Sequence, residues 1–484
     1  MLATLFLQPP SFDGFDGGAG SRYQARREVR SFWFPTWLAQ LAALVPGSRL
    51  VDAPPAQLSL ADVVPLAKEY ELVVMHTSTP SFASDVRVAQ ALKAENPRLR
   101  VGLVGARVAV DRPGSLARAA AVDFVAGNEF DFTIREVAEG RPLSKIAGLS
   151  WRDASGAVVN NPERPPLEDM DALPFVTPVY ARDLRIEDYF QGYLLHPYVS
   201  FYTGRGCRSR CTYCLWPQTV SGHRYRTRSV KHVADEIAYT KRAFPQMKEL
   251  FFDDDTFTDD HLHAEAIARE VGRLGLVWSC TSKANVPRRT LEVLRDNGLR
   301  LLLVGYESGN QVVLNNVKKG VRLDVMRRFT DDCHDLGIAI HGCFILGLPG
   351  ETRETIAETI RFACELDPHT IQVSLPAPYP GTELYRQAIE KGWLDAANAE
   401  LVDEHGVQLA PLSYPHLPHA EIHAALETFY RRFYFRGSKI AEIVGEMLRS
   451  PHMMRRRLRE GVEFFQFLRE RRGRAPCPPR AVAP

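Results

Sequence analysis

A chain of 484 residues is too long for one ordinary hydrophobic core and divides into two or three domains. With 45% hydrophobic and 24% charged residues it has the make-up of a soluble globular protein, and a net charge of +2 argues against wholesale nucleic-acid binding. Eight cysteines over this length form no disulfide framework and fit a reducing cytoplasm, and no apolar run is long enough to predict a spanning helix.

The opening MLATLFLQPP lacks a charged n-region and reads as a first strand, not a signal peptide. Over residues 1–150, short apolar runs (ATLFLQ, RLVDAP, LVVMHT, RVGLVGA, VDFVAG) alternate with helical stretches (TWLAQLAALV, LADVVPLAKEY, DVRVAQALKAE). This alternation predicts an α/β domain with a doubly wound parallel sheet, whose ligands sit at the carboxyl ends of the strands. The loops there carry Pro9 and Ser11, Thr77 and Ser78, Gly105 and Ala106, and Gly127 and Glu129. Small and hydroxyl residues let backbone approach a large planar ligand; they are equally the residues of ordinary turns. The glycine run at 14–20 lacks the Gly-Lys-Ser/Thr of a P-loop and reads as a flexible loop or lid. Arg22, Tyr23, Arg26, Arg27, Arg30, Trp33 and Trp37 then contact either a polar, sugar-like substrate or only solvent.

Residues 151–192 read as a hairpin turning at Ser155-Gly156, followed by a Pro-rich linker. From 193 to 399, strand and helix patterns alternate: VSFYTGRGC, RSVKHVADEIAYTKRAF, KELFFDDDTFT, KANV, RTLEVLRDNG, LLLVGYESGN, LDVMRRFTDDCHDLG, AIHGCFILGLPGE, TRETIAETIRFACEL, TIQVSLPAPYPGTELY. That order predicts a partial or full parallel β/α barrel with functional residues at the carboxyl ends of its strands. Residues 400–473 read as a helical basic region, and 474–484 as a disordered tail. Between Arg431 and Arg474 there are 13 Lys/Arg against 5 Asp/Glu, with Leu458, Val462, Phe465 and Leu468 on one helix face. Such a helix lies on an anionic membrane surface or packs on the barrel with its arginines outward.

The densest chemistry is TGRGCRSRCTYCLWP, where Cys207, Cys211 and Cys214 follow a C-x3-C-x2-C spacing. Three thiolates hold three corners of a cubane iron–sulfur cluster and leave one iron open to a small molecule. A structural zinc site would close with a fourth Cys or His, and His223 is the only local candidate. Cys280, Cys333, Cys343 and Cys364 stand singly and read as buried small hydrophobes, and Cys477 as an exposed tail residue. The spacing, with Tyr213 just before the third cysteine, resembles the radical S-adenosylmethionine (SAM) superfamily. The resemblance implies a 4Fe–4S cluster on these cysteines and SAM chelating the open iron, so that one electron cleaves SAM to a 5′-deoxyadenosyl radical. It also implies SAM contacts from Tyr213, from Asp253 and Asp254 in FDDD, from Lys283, from Glu307 in GYESG, and from Gly342, Ile345 and Gly347 in GCFILGLPG. Catalytic acid and base residues are not evident.

The two-part order resembles the subclass in which a cobalamin-binding-like, Rossmann-type domain (1–150) precedes the barrel. GLVGARVAV and GNEFDFTIREV stand at the places of that domain's loops, in degraded form, without the Asp-x-His-x-x-Gly signature; His76 falls in a strand. LFLQPPSFDGFDGGAGSRYQARREVRSFWFPTWLAQ and CLWPQTVSGHRYRTRS resemble the radical SAM proteins of bacterial hopanoid biosynthesis, of the bacteriohopanetetrol cyclitol ether synthase type. This implies radical-initiated ring contraction of bacteriohopanetetrol glucosamine, a hopanoid lipid, with Arg22, Tyr23, Arg26 and Trp33 at the headgroup. It also implies a flavodoxin- or ferredoxin-type electron donor and a cytoplasmic protein in peripheral contact with the inner membrane surface. The alternative is a cobalamin-dependent radical SAM methyltransferase acting on a lipid or other small molecule.

Overall fold

The computed structural model describes all residues except 13, 14, 17, 21–23, 396–398, 450 and 473–484, and describes no side chain at 449, 451–453, 467, 468 and 470–472. The expectations for Arg22, Tyr23, Cys477 and the tail 474–484 therefore lie outside the described residues, as does that for the Leu468 side chain.

The first sheet contains β1 (Thr4–Gln8), β2 (Arg49–Asp52), β3 (Leu72–His76), β4 (Arg100–Val104), β5 (Phe124–Ala126), β6 (Leu149–Arg152) and β7 (Val158–Asn160). Its order is β2-β1-β3-β4-β5-β6-β7, with β1 to β5 parallel and β6 and β7 antiparallel. The strands β1 and β3 are buried along their whole length, as both faces of a parallel sheet require when helices cover them. The doubly wound sheet expected from the alternation is present, with its strand order reversing between β1 and β3. The hairpin assigned to the linker is not a linker element. As β6 and β7 it extends this sheet, because β5 leaves an edge that Leu149–Trp151 pairs in register with Ala126–Phe124.

The second sheet is β8 (Tyr198–Phe201), β11 (Glu249–Phe252), β12 (Trp278–Ser282), β13 (Leu299–Glu307), β14 (Ala339–Ile345) and β15 (Thr370–Ser374), all parallel, in the order β15-β14-β13-β12-β11-β8. A separate ribbon pairs β9 (Gly204–Arg205) with β10 (Arg226–Thr227). Strands β8 and β15 do not pair, so the barrel is partial. The third strand ends before KANV: the β-branched and aromatic run Trp278–Ser282 forms it, while Lys283–Val286 lead to Pro287, which caps the next helix.

An unpaired edge strand needs cover. Here the helix His419–Tyr434 supplies it: the Val373 N–H donates to the Tyr430 hydroxyl and the Ile371 N–H to that of Tyr434, each at 3.0 Å. One helical turn matches a two-residue strand repeat closely enough for an i, i+4 tyrosine pair to serve alternate N–H groups. Residues 400–417 are not helical as expected; Pro411, Pro415 and Pro418 hold them as irregular chain, and Val407 bridges to Arg26. The open side is also filled from the N-terminus. Phe15, Asp16, Ala19 and Ala25 are buried, Trp33 packs on Phe251 at 5.7 Å, and Phe32 accepts from the Tyr198 hydroxyl at 2.9 Å. Of the glycine run, Gly18 and Gly20 are therefore interior packing, a Cβ at Gly20 meeting the Phe34 carbonyl, while Gly14 and Gly17 lie outside the described residues. No helix among the described residues is long and apolar enough to cross a membrane.

Candidate active site

The cysteine loop runs out of the carboxyl end of β8 through the β9–β10 ribbon. Gly206 has φ +92°, and a Cβ there would lie 2.2 Å from the Arg224 carbonyl, so the turn into Cys207 needs glycine. Several groups fix the loop. Asp255 accepts from the Gly206 N–H (3.1 Å) and the Ser221 hydroxyl (2.8 Å), and the Gln218 amide donates to the Cys214 carbonyl at 2.8 Å and faces those of Cys211 and Thr212. His223, the local candidate for a fourth ligand, instead places Nδ1 2.8 Å from the Ser209 carbonyl and braces the loop. Cys207 and Cys211 are buried and Cys214 half-buried; among the described residues no three His, Cys, Asp or Glu side chains are already gathered as a metal-ligand set.

Beside the thiols lies an ion pair that the sequence did not suggest as a unit. Glu307, at the end of β13 with φ +67°, meets buried Lys319 at 2.7 Å. Burial works against the Lys319 ammonium, but Glu307 and the Cys211 and Cys207 sulfurs raise its pKa above the ordinary value. Burial pushes the Cys211 thiol up, and Lys319 opposes that. Only the spacing of Lys319 after the GYESG strand end was available in the sequence, and nothing marks it apart from Lys318.

The other expected SAM contacts divide. Tyr213 and Ile345 both pack against the buried Val313, Val317 and Leu348 beside the loop. Asp253 shares the face of its strand with Phe251, which turns towards Trp33 and Tyr193. The Asp254 carboxylate is buried and accepts from the Thr203 N–H (3.1 Å), the Thr203 hydroxyl (3.0 Å) and Tyr225 (3.3 Å). Lys283 lies half-buried just past β12. Gly342 is a correction: its missing Cβ would meet Pro368 and Phe344 on the face that carries the Tyr306–Phe344–Phe429 packing, so glycine there serves helix packing. Gly347, with φ +95°, donates to Glu351 and accepts from Tyr414 (2.8 Å) in a turn.

In the first domain, Thr77 and Ser81 donate to Asp85, each at 2.7 Å, and Ser78 bonds Ser81 at 2.8 Å. These hydroxyls organise the start of helix Phe82–Glu95 and are not directed at a cofactor. Glu129 is also a correction: it accepts two bonds from Arg226 (2.7 and 2.6 Å), while Asp131 pairs with Arg205 at 2.6 Å. All four side chains are buried, and together they clamp the first domain to the ribbon that carries the cysteine loop. Gly127 binds back to the Gly148 carbonyl, and Gly105, with φ +118°, allows close approach of Thr77. Trp37 stacks on Trp216 at 5.6 Å with Arg205 over its ring, filling the seam between Ala106 and the loop helix Leu215–Thr219. A cavity of about 540 Å³ does open at the β1/β3 switch point, lined by Pro10, Ser11, Phe12, Pro54, Leu58 and Arg87; of the expected cofactor residues, Ser11 lines it, and Pro9 is buried next to it. His76, at the end of β3, is fully buried with neither ring nitrogen hydrogen-bonded, and burial pushes its pKa down to about 3.

A larger cleft of about 890 Å³ opens at the unpaired side of the barrel, between β15 and the C-terminal helices, near the upper end of small-molecule sites. Its walls are apolar: Ile371, Ile443, Met447, Leu458, Val462 and Phe464. Its inner end is polar. Arg27 donates to Gln372 at 3.0 Å, and His341, pushed down to about 3 by burial, stacks on Tyr193 at 4.1 Å with Nε2 unpartnered. Trp33 is buried in the barrel filling, and Arg26 bridges to Val407 outside the residues that line the cleft. Of that segment, Arg27, Glu28, Val29 and Ser31 line the cleft, and Arg27 is the cation among them.

Residues 201–363, from the end of β8 into the helix Arg353–Leu366, match the family model of the Radical SAM superfamily. An uncharacterized methyltransferase of Pyrococcus horikoshii is 28% identical, over 77% of this chain and 82% of its own. The anaerobic magnesium-protoporphyrin IX monomethyl ester cyclase of Rubrivivax gelatinosus is 25% identical, over 81% and 70%. The fold is shared with the radical SAM methyltransferase TsrM of Kitasatospora setae, solved with cobalamin and a 4Fe–4S cluster bound: TM-score 0.69, 16% identity, 95% of this chain and 99% of that one covered.

Proposed function

We propose, from the radical SAM domain at residues 201–363, that this chain is a cobalamin-dependent radical SAM enzyme that transfers a methyl group to an amphipathic small molecule. The observation that carries the reading is the clamp. Arg205 and Arg226, on the ribbon flanking the cysteine loop, are buried against Asp131 and Glu129 of the doubly wound domain, so the two domains present their strand ends to one another. Cys207, Cys211 and Cys214 would hold a 4Fe–4S cluster, which when bound supplies the electron that cleaves SAM. The residues at the β1/β3 switch point fit a nucleotide-bearing cofactor: the cavity is present and Ser11, whose hydroxyl is buried without a partner, and Arg87 line it, while His76 lies away from it against Gly105 and Trp216. Cobalamin bound there would supply a carrier for the methyl group. The chain's own contributions are to hold the loop through Asp255 and Gln218, to keep the Lys319 charge beside the thiols, and to exclude water by the packed segment 31–37.

Methyl transfer stands first because relatives over most of the chain carry that activity in their names. Ring contraction of a hopanoid headgroup rests on the sequence resemblance, and the specific observation in its favour is the apolar cleft with Arg27, Gln372 and His341 at its inner end. Anaerobic incubation of the reconstituted protein with SAM, a reductant, cobalamin and bacteriohopanetetrol glucosamine separates the two by mass spectrometry. S-adenosylhomocysteine with a methylated lipid supports methyl transfer. An isomerised lipid with 5′-deoxyadenosine and no S-adenosylhomocysteine would replace it by ring contraction.

A further inference from the structure

We propose that the paired helices Gly437–Arg449 and Pro451–Arg472 seat the protein on an anionic lipid bilayer, with the mouth of the apolar cleft facing the lipid. Of the fifteen large hydrophobic side chains that are exposed among the described residues, eight lie between Phe435 and Phe465. Ile440, Val444 and Leu448 recur every fourth residue on the first of these helices, and Leu458, Val462 and Phe465 form a row on the second. Ile440, Leu458, Val462 and Phe465 also rim the cleft, so the exposed apolar surface and the cleft are continuous.

Charge decides what covers this face. Its carboxylates are consumed internally: Glu442 pairs with Lys439 at 2.5 Å, Glu446 with Arg457 at 2.6 Å and Glu460 with Arg456 at 2.8 Å. The exposed charges left around the apolar rows include Arg431, Arg432, Arg455 and Arg469, and Arg459 meets Glu463 at the longer distance of 3.9 Å. Apolar rows bordered by arginines, on helices that cannot span, are the pattern of a helix lying in the plane of an anionic interface. A second copy of this chain would set arginine against arginine. The inference does not depend on the chemistry of the cysteine loop.

The test is co-sedimentation of the full chain with vesicles of phosphatidylcholine alone or mixed with phosphatidylglycerol. The expected result is at least ~10-fold stronger partition onto the anionic vesicles, lost as salt shortens the screening length from ~10 to ~3 Å. The triple variant Val444→Glu, Leu458→Glu, Val462→Glu alters only exposed positions and should weaken partition at least ~10-fold with unchanged circular dichroism. The milder pair Arg455→Gln, Arg459→Gln should act in the same direction. Equal partition onto both vesicles, or none, overturns the proposal. So does concentration-dependent dimerisation that the triple variant abolishes, which would make the face an interface between copies.

Discussion

Lys319 shows what a sequence conceals at the level of single residues. The cysteine loop is legible because its ligands lie within eight residues and their spacing carries the chemistry. Lys319 reaches the same place from beyond the fourth barrel strand, and only the fold brings it to Glu307. Removing one partner leaves the other charged and buried, so Lys319→Met should destabilise the protein by ~3–5 kcal/mol in urea unfolding, and adding Glu307→Gln should recover part of that. A loss no larger in the single variant than in the double would show that the pair is not coupled. Asp254 and Glu129 teach the converse. Each is an acidic residue at a strand end, but the hydroxyls and guanidinium that claim them come from distant segments.

At the level of elements, the βα alternation was readable because buried parallel strands are short and continuously apolar. The β6–β7 hairpin was misplaced because its sequence specifies a hairpin but not the edge it joins. The cover on β15 was equally hidden, since Tyr430 and Tyr434 read as part of an amphipathic face. Tyr430→Phe leaves the Val373 N–H and Glu28 without that hydroxyl and should cost ~1–3 kcal/mol, read as a lower urea midpoint. Buried carboxyls impose a pH dependence on these elements. Burial raises Asp85 to about 7 and Glu351 to about 8, from 3.8 and 4.5. The folded state then keeps protons that the unfolded chain has released, so their contribution is full below about pH 4 and is lost as pH rises through the folded values, by up to ~1.4 kcal/mol per unit for each group. The urea midpoint should fall between about pH 5 and 8, more shallowly in Glu351→Gln. An identical slope in the variant would contradict the assignment.

For the whole molecule, the arrangement joins a clamped two-domain body to a lateral cleft bounded by helices from the opposite end of the chain. The cleft was invisible in the sequence because Arg27, His341, Tyr430 and Phe464 come from four separate segments. The cavity at the β1/β3 switch point is only half legible: the doubly wound pattern predicts where it lies and Ser11 lines it, but Thr77, Ser78 and Glu129 bond within the protein instead. Ser11→Trp should fill it, lowering bound cobalamin in the visible spectrum of reconstituted protein while iron content stays unchanged. Cobalamin bound equally by the variant would place that cofactor elsewhere.

Cys207, Cys211 and Cys214 would together hold a 4Fe–4S cluster with one iron open to SAM. Electron paramagnetic resonance of anaerobically reconstituted, reduced protein, recorded before and after adding SAM, tests it most directly. The expected result is a reduced 4Fe–4S signal that SAM perturbs and that Cys211→Ala abolishes. A signal indifferent to SAM, or one that survives loss of Cys211, would contradict it.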